Sequence, residues 1–588
     1  MSTYVDVDQI WLSLGQWGSY QRRQLIVLLL AVWSSVFHVL SIVFLGYRPQ
    51  YECKEIHVGN GTTSSDMFNE TVSRQYEKCA IKTVLNDTGA ITMSQTGCTN
   101  GWKYHDYGPF STDRSVVSEW DLVCERKELA EVSQTLVMLG QGIGAFIFTS
   151  LSDRYGRKVV HITCHVTLFG IALATAFVPN FSSFAVMRVL TGAFQQGIGL
   201  TIQILNIELV PKGTRSYVEV FGLLFWTTGI AIITPVSYIF RNMSWRYLQI
   251  CLACLSSWAL IEWWLIDESL RWLIANGRIK EAKAIIKKAC KRNNKDYDEI
   301  VSASGFRAYE MQSGIVLEVR KDNVTSETES GLLTETETED NGIAANTTNQ
   351  KDASTKAYTA IDLIKSKRLF LTSIIMWFAW ITASSTYYGI MLISSSLAGD
   401  RFLNFFLGSI VEYPAAFMEW FMLNRYGRKP TAIAFHSICG VALITATVLA
   451  TTANGNSAIL LGSTVFTLIG KFAITGSFST LFLYTPELYP TNMRNVGIGI
   501  SSAAARIGGM LAPFSRNLAE IALWAPGLVF GIMCAIVSVS MFWVPETNQY
   551  ELPQTIEECE RWYKDNRCKI PCVSRRETER TESDPQIS

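Results

Sequence analysis

Long apolar segments alternate with short polar ones along most of the chain. Twelve of these segments are about twenty residues long, enough for an α-helix to cross the hydrocarbon core of a bilayer. The predicted spans cover residues 24–46, 129–150, 159–178, 182–206, 217–240, 246–266, 369–393, 402–423, 430–451, 457–484, 493–514 and 520–544. The pattern therefore predicts an all-α membrane protein with twelve transmembrane helices.

Three short motifs occur twice in the same order and divide the spans into two halves. RYGRK stands at 154–158 and 425–429, IELVPKGTR (207–215) is matched by PELYPTNMR (486–494), and DES (267–269) is matched by PET (545–547). Such a repeat indicates two homologous six-helix bundles. Secondary transporters are built in this way, with the working site between the bundles.

The spans predict five parts along the 588 residues. These are a cytoplasmic N-terminus (1–23), an N-terminal bundle (24–266) that includes an outside loop (47–128), a cytoplasmic linker (267–368), a C-terminal bundle (369–544) and a cytoplasmic tail (545–588). Basic residues at and near the RYGRK motifs assign that face, and both termini, to the cytoplasm. Within the linker, the pattern predicts a helix over 277–292 and a disordered acidic segment over 325–356.

The outside loop has chemistry of its own. Its four cysteines predict two disulfide bonds, whose pairing stays open among three possibilities. Its three Asn-x-Thr sequons predict N-glycosylation. The residues concerned are Cys53, Cys79, Cys98, Cys124, Asn60, Asn69 and Asn86.

Charge and motif content exclude several function classes. The 51 basic and 51 acidic residues balance, whereas a nucleic-acid partner requires a basic face. The chain has no phosphate-binding loop, and no metal-ligating cluster is visible in its sequence. We therefore expect no enzyme activity, no metal and no cofactor. A coupling ion, Na⁺ or H⁺, leaves no readable motif.

Charged residues recur at the ends of the predicted helices that carry the paired motifs. A carboxylate there can cap the N-terminus of a neighbouring helix and pair with an arginine of another motif. Such exposed pairs contribute roughly 0–1 kcal/mol each, which suits a cytoplasmic gate that must open. The alternative is that the basic residues only set topology. The predicted gate residues are Asp153, Arg157, Glu208, Arg215, Arg425, Glu487 and Arg494.

Three charges fall in the middle of spans, where they are costly and functional by default. They are Glu412, Lys471 and Arg506, all in the second half. The alternative is an ion pair between Glu412 and Lys471 that only locks helices together. Such a pair still leaves one cation for a substrate anion or another partner. Arg188, Glu219 and Glu262 are placed toward span ends, where they are expected to snorkel or pair locally.

Longer motifs carry a resemblance that covers nearly the whole chain. SDRYGRK is similar to the cytoplasmic signature of the major facilitator superfamily. GWKYHDYGPFSTDRSVVSEWDLVC (101–124), ESLRWLIANGRIKEA (268–282) and YTPELYPTNMRNVGIG (484–499) resemble its branch of organic cation, carnitine and organic anion carriers. The chain departs from the family pattern at Thr149, Asn424, Asp267 and Leu270.

The resemblance implies a substrate class and a set of binding residues. Arg506 stands where simple cation carriers have Asp and where carnitine or anion carriers have Arg. Glu412, in VEYPA, is similar to the cation and carnitine members. The implied substrate has a cationic and an anionic end, with Arg506 attracting the carboxylate and with Glu412 and aromatic faces accepting the ammonium group. Aromatic rings bind quaternary ammonium groups, and the candidates are Trp226, Trp380, Tyr387 and Tyr388.

We therefore expect a plasma-membrane carrier of small organic cations or carnitine-like zwitterions that works by alternating access. Its partners are that substrate and the lipid bilayer. An organic anion exchanger is the close alternative, favoured by Arg506 and Lys471 and opposed by Glu412. A non-transporting receptor of the same fold is a further one, although a receptor has no need to keep a gate on each half.

Overall fold

The structure is a computed structural model that describes residues 5–55, 71–87, 90–105, 115–211, 214–306, 366–394, 399–490, 493–548 and 556–565. Within these ranges, nine helices are long and apolar enough to cross a membrane. The three remaining predicted spans are helical as well. One is the helix Phe181–Glu208, one is broken, and one is the shorter helix Arg494–Leu511.

The first half contains six spanning segments, which we label α1 to α6. The first continues through a short turn of helix, Ile42–Leu45, and the sixth through two short turns, the second at Glu262–Leu265. The helices are α1 (Ser19–Leu40), α2 (Glu128–Tyr155), α3 (Arg157–Thr175), α4 (Phe181–Glu208), α5 (Arg215–Ile239) and α6 (Trp245–Leu255).

The second half repeats this arrangement with α7 to α12. The helices are α7 (Lys367–Ile393), α8 (Arg401–Ile410 and Glu412–Arg425), α9 (Arg428–Thr452), α10 (Ser457–Leu488), α11 (Arg494–Leu511) and α12 (Ala525–Ser540). A short helix, Phe514–Ile521, follows α11.

The eighth span is not the single helix predicted over 402–423. It breaks at Val411, directly before Glu412. Pro414 explains the break, because its ring clashes with the carbonyl of Ile410 and it has no N–H to donate. The break places the Glu412 carboxylate at the start of a new helix, in the interior of the protein.

The predicted outside loop contains β-structure. Strand β1 (Gln50–Cys53) pairs antiparallel with β5 (Trp102–His105), while β2 (Thr71–Tyr76), β3 (Ile81–Asp87) and β4 (Ala90–Thr96) form a meander. The two predicted disulfides are present, as Cys53–Cys98 and Cys79–Cys124. Asn86 lies in β3, whereas Asn60 and Asn69 lie outside the described residues.

The opposite face carries short helices. We call it the motif side, because both RYGRK motifs lie there, and we call the disulfide-bearing face the loop side. Val7–Ser13, Leu270–Ala275, Ile279–Asn293 and Tyr297–Ala303 pack beneath the first half, and Ile556–Asp565 packs beneath the second. The segment 325–356 lies outside the described residues.

The halves meet along two helix pairs, α2 with α11 and α5 with α8. We call this surface the seam. At the first pair, Thr135 Oγ1 donates a hydrogen bond to the carbonyl of Met510 at 3.0 Å. At the second, the rings of Tyr238 and Phe402 contact edge to face with centroids 5.4 Å apart. Side chains at mid-depth on these helices therefore lie between the two halves.

Candidate functional site

Glu412 and Lys471 form a buried ion pair in the second half. Lys471 Nζ lies 2.9 Å from Glu412 Oε1, and both side chains are at most 3% exposed. The second carboxylate oxygen accepts a hydrogen bond from the Thr227 hydroxyl of the first half at 3.0 Å. The ion pair between Glu412 and Lys471, which the sequence left open as an alternative, is therefore present in the structure.

Two aromatic residues complete this cluster. The Tyr387 hydroxyl donates to Glu412 Oε1 at 2.9 Å and accepts from Trp226 Nε1 at 3.0 Å. Lys471 Nζ also lies 3.2 Å from the centroid of the Tyr387 ring, a cation–π geometry. Because Trp226 belongs to α5, the cluster ties the two halves together.

Arg506 occupies a second, different cluster. Its Nη1 donates to Gln141 Oε1 and its Nη2 to Gln196 Oε1, each at 2.8 Å. Gln141 in turn donates to Gln195 Oε1 at 2.8 Å. Among the residues that the structure describes, no carboxylate pairs with Arg506. Amide oxygens solvate its positive charge without cancelling it, so the guanidinium can still bind an anion.

A cavity of about 200 Å³ lies between α1, α4 and α5 and borders both clusters. Trp226 of the first cluster and Gln195 of the second both line it. Glu219 is exposed on the same wall, near the start of α5, a position that agrees with the expectation of a charge toward a span end. Its place on the wall of this cavity was not predicted from the sequence.

Two of the predicted aromatics are placed differently. Trp380 is 1% exposed, donates from Nε1 to Thr485 Oγ1 at 2.8 Å, and packs on Phe478 and Phe482. It supports Tyr387 through Phe478, whose ring both residues contact. Tyr388 is buried and contacts Tyr387 edge to face.

The predicted gate residues of the first half lie together on the motif side. Arg157 Nη2 lies 3.0 Å from Asp153 Oδ1, and its Nε lies 3.7 Å from Glu208 Oε2. Glu268 of the DES motif accepts hydrogen bonds from the backbone N–H groups of Arg157 and Lys158, which caps the start of α3.

The second half builds the same arrangement from the matching motifs. Glu487 pairs with Arg428 at 3.0 Å, and Glu546 of the PET motif caps α9 through the N–H groups of Arg428 and Lys429. Arg425, also among the predicted gate residues, is exposed at the end of α8, so its place in the gate stays a prediction, whereas Arg428 at the start of α9 was not among the predicted residues.

Glycine is required between the two arginines of each motif. Gly156 and Gly427 have φ angles of 106° and 98°, a region that favours glycine. A Cβ atom at either position would overlap the capping carboxylate of Glu268 or Glu546. The carboxylates of the paired DES and PET motifs thus explain why RYGRK has glycine at this position. The similar spacing of the two motif pairs in both halves could have suggested this contact.

The remaining two gate residues bind within their own half. Arg494 donates from Nε to the carbonyl of Pro486 at 2.8 Å, and Arg215 Nη2 lies 3.9 Å from Asp8 Oδ1. On the motif side, each ion pair between two described residues joins partners of the same half.

The loop side differs, because ion pairs cross the seam there. Arg48 of the first half lies 2.6 Å from Glu520 of the second, and Lys127 lies 3.6 Å from the same carboxylate. Arg516 of the second half lies 3.6 Å from Glu131 of the first. The halves are therefore held together by charge at this face of the membrane.

Two further charges of the first half, which were expected to snorkel or pair locally, have partners inside the protein. Arg188 is buried and donates to the carbonyl of His38 at 3.1 Å and to Gln134 Oε1 at 2.9 Å. Glu262 is fully buried beside His161 and His165. The spacing of these histidines in HITCH, four residues apart on one helix, was the signal that the sequence analysis missed.

Comparisons with known proteins agree with this architecture. Residues 128–513 match the model of the Major Facilitator Superfamily. The chain is 30% identical to an organic cation transporter protein of Drosophila melanogaster over 95% of both chains, and 30% identical to organic cation/carnitine transporter 2 of Mus musculus over 94% of both. The fold is similar to the proton:xylose symporter XylE, with a TM-score of 0.55 at 13% identity, covering 93% of this chain and 99% of that one.

Proposed function

Because this chain belongs to the Major Facilitator Superfamily, and within it to the family of organic cation and carnitine transporters, we propose that it carries small organic cations or zwitterions by alternating access. It is a membrane transporter and not an enzyme. The observation that carries the proposal is the Arg506 guanidinium, held at the seam by amide oxygens. Gln141 links it to Gln195, which lines a cavity together with Glu219 and Trp226.

A zwitterion fits this arrangement at both ends. Its carboxylate would exchange for Gln141 or Gln196 at Arg506, where a charged hydrogen bond contributes about 1.5–3 kcal/mol. Its ammonium group would be attracted by Glu219 and by the Trp226 ring, since an aromatic face contributes roughly 0.5–2 kcal/mol. A bare organic cation uses only the second set of contacts.

The pattern of ion pairs supports alternating access. Pairs cross the seam on the loop side, whereas described pairs on the motif side stay within one half. We infer a state that is closed on the loop side and open on the motif side. In the opposite state, Arg157 and Arg428 would exchange partners across the seam, and the loop-side pairs would separate. Exposed pairs of about 0–1 kcal/mol permit that exchange.

We assign the protein to the plasma membrane, with the disulfide loop outside and both termini in the cytoplasm. The basic motif side supports this orientation through the positive-inside rule. The two disulfides support it too, since such bonds form and persist in the oxidising compartment.

An organic anion exchanger is the second candidate, and one observation favours it. Lys471 cancels the charge of Glu412, so the net charge of the two central clusters is positive. Exposed Glu219 opposes an anion, because it places a carboxylate on the cavity wall.

Uptake measurements distinguish these candidates. Cells expressing the chain receive labelled carnitine, tetraethylammonium or p-aminohippurate, each with and without sodium and across an imposed pH gradient. We expect uptake of carnitine, tetraethylammonium or both above that of mock-transfected cells with equal surface labelling. Uptake of p-aminohippurate alone would establish the anion exchanger, and absence of all three at full surface expression would contradict transport of these classes.

A further inference from the structure

Two histidines and a glutamate meet in the interior of the first half, away from the seam. His161 and His165 are about one turn apart on α3, and Glu262 begins the last helical turn of the sixth span. All three side chains are fully buried. Each offers one ligand atom, and these atoms lie within 4.8 Å of one another.

The protonation of His161 follows from its neighbour Thr201. The Thr201 hydroxyl donates its hydrogen to the carbonyl of Gly197 at 2.8 Å, so its oxygen accepts from His161 Nδ1, which lies 3.0 Å away. A neutral His161 therefore carries its proton on Nδ1. Its bare Nε2 lone pair lies 3.4 Å from Glu262 Oε2, which is itself an acceptor.

Two lone pairs facing each other in a buried site require a cation between them. Among the described residues, His161 Nε2 and Glu262 Oε1 have no hydrogen-bond partner. No lysine or arginine in the described part of the chain pairs with Glu262, whose ion-pair contacts are the two imidazoles. With neutral histidines, the cluster has a net negative charge at a depth where an uncompensated charge is costly.

We propose that this cluster is a transition-metal site of the zinc class, formed by His161 Nε2, His165 Nδ1 and Glu262. Two imidazole nitrogens and one carboxylate are a ligand set typical of Zn²⁺, whereas Mg²⁺ and Ca²⁺ require oxygen ligands. Ligands of a tetrahedral zinc ion lie about 3.3 Å apart, given metal–ligand bonds of about 2.0–2.1 Å. Glu262 Oε2 lies 2.9 Å from His165 Nδ1 and 3.4 Å from His161 Nε2, on either side of this value, and the two nitrogens lie within 4.8 Å of each other.

Thr201 provides the outer contact that metal-binding histidines usually have, because it fixes the ring orientation and tautomer of His161. Three protein ligands leave one coordination position for water. The metal would fasten α3 to the end of the sixth span, one turn from Arg157 and from the Glu268 cap on the motif side.

Metal content of the purified full chain tests the proposal without any transport measurement. The protein, with its affinity tag removed, is stripped with a chelator, dialysed against micromolar Zn²⁺ and analysed by mass spectrometry for bound metal. We expect about one zinc per chain. Co²⁺ in place of Zn²⁺ should give the visible absorption of a tetrahedral cobalt complex, which added zinc displaces.

Variants test the ligands. His161→Gln and Glu262→Gln should each lower zinc affinity by at least about 10–100-fold, and Thr201→Val should lower it less. His436→Gln is the matched control, because His436 is a buried histidine of α9 whose Nδ1 lies 2.6 Å from Ser477 Oγ. Its zinc content should equal that of the unmodified chain.

Two results would overturn the proposal. One is an unmodified chain that binds no zinc and gives no cobalt spectrum, which would mean that a proton balances the charge of Glu262. The other is an equal loss of zinc in His436→Gln. The spectrum of the unmodified chain decides the question even if a ligand variant does not fold.

Discussion

The two charged clusters at the seam hold their cations in opposite ways. Lys471 faces a carboxylate at 2.9 Å, so its charge is cancelled, whereas Arg506 faces two amide oxygens at 2.8 Å and keeps its charge. Each arrangement places oxygen atoms beside a cation within the predicted spans. The difference supports our proposal that the second cluster binds a substrate carboxylate, whereas the first joins helices.

The largest expected effect follows from breaking the Glu412–Lys471 pair. Glu412→Leu leaves Lys471 buried without a counter-charge, and the free energy of unfolding should fall by about 3–5 kcal/mol. Thermal unfolding of the detergent-solubilised protein measures the loss. The double variant Glu412→Leu/Lys471→Met should recover most of it, since neither charge then remains. A single variant as stable as the unmodified chain would contradict a structural role for this pair.

Reversing the charge of Arg506 should act on transport more than on stability. Arg506→Asp removes the partner of the substrate carboxylate, and kcat/KM for a zwitterion should fall by about 10–100-fold, or roughly 1.4–2.7 kcal/mol. Uptake of tetraethylammonium should be spared. Arg506→Lys serves as the matched control and should keep part of the zwitterion uptake. Equal losses for both substrates would assign Arg506 to the structure of the protein instead.

A substitution can give Arg506 a carboxylate partner like the one that Lys471 has. Gln196→Glu places a carboxylate at the position of the amide oxygen that accepts from Arg506. The new ion pair competes with the substrate, and KM for a zwitterion should rise by about tenfold, or 1.4 kcal/mol. Gln203→Glu adds the same charge to another residue of α4, on the cavity wall, and controls for added charge. An equal rise in KM in both variants would mean that the added negative charge acts at long range and does not compete at Arg506.

The smallest expected effect concerns the Tyr387 hydroxyl. Tyr387→Phe removes its hydrogen bonds to Glu412 and Trp226 but keeps the ring that faces Lys471. The free energy of unfolding should fall by about 1 kcal/mol, measured in the same thermal assay, with tetraethylammonium uptake little changed. Loss of that uptake would show that the hydroxyl itself contacts the cation.

The fold could be predicted from the sequence because its signals are local. Runs of about twenty apolar residues mark the spans, and the two RYGRK motifs mark the repeat. The sequence also suggested the Glu412–Lys471 pair as an alternative, since opposite charges at similar depth in a membrane have few other partners. The break at Val411 was missed, although Pro414 was visible, because the apolar run continues through it.

The partners of Arg506 could not be predicted. Gln141 and Gln196 are uncharged residues in apolar helices of the other half, and no local pattern relates them to α11. Glu262 meets His161 only because the helices of the first half pack together, about a hundred residues apart in sequence. The pairing of Glu487 with Arg428 was not predicted either, because the positive φ of Gly427 sets where α9 begins and so which arginine stands at its start.

The disulfide connectivity has a consequence for how the protein is made. The two bridges interleave along the chain, and in each bridge the second cysteine follows the first by 45 residues. At about 5–20 residues per second, that is roughly 2–9 s of translation, long enough for Cys53 and Cys79 to meet each other first. Correct pairing then requires exchange, which is slow without an isomerase. Maturation of this transporter should therefore depend on the oxidative folding catalysts of the secretory pathway. A pulse of reducing agent during synthesis should keep the newly made chain in the compartment where its disulfides form.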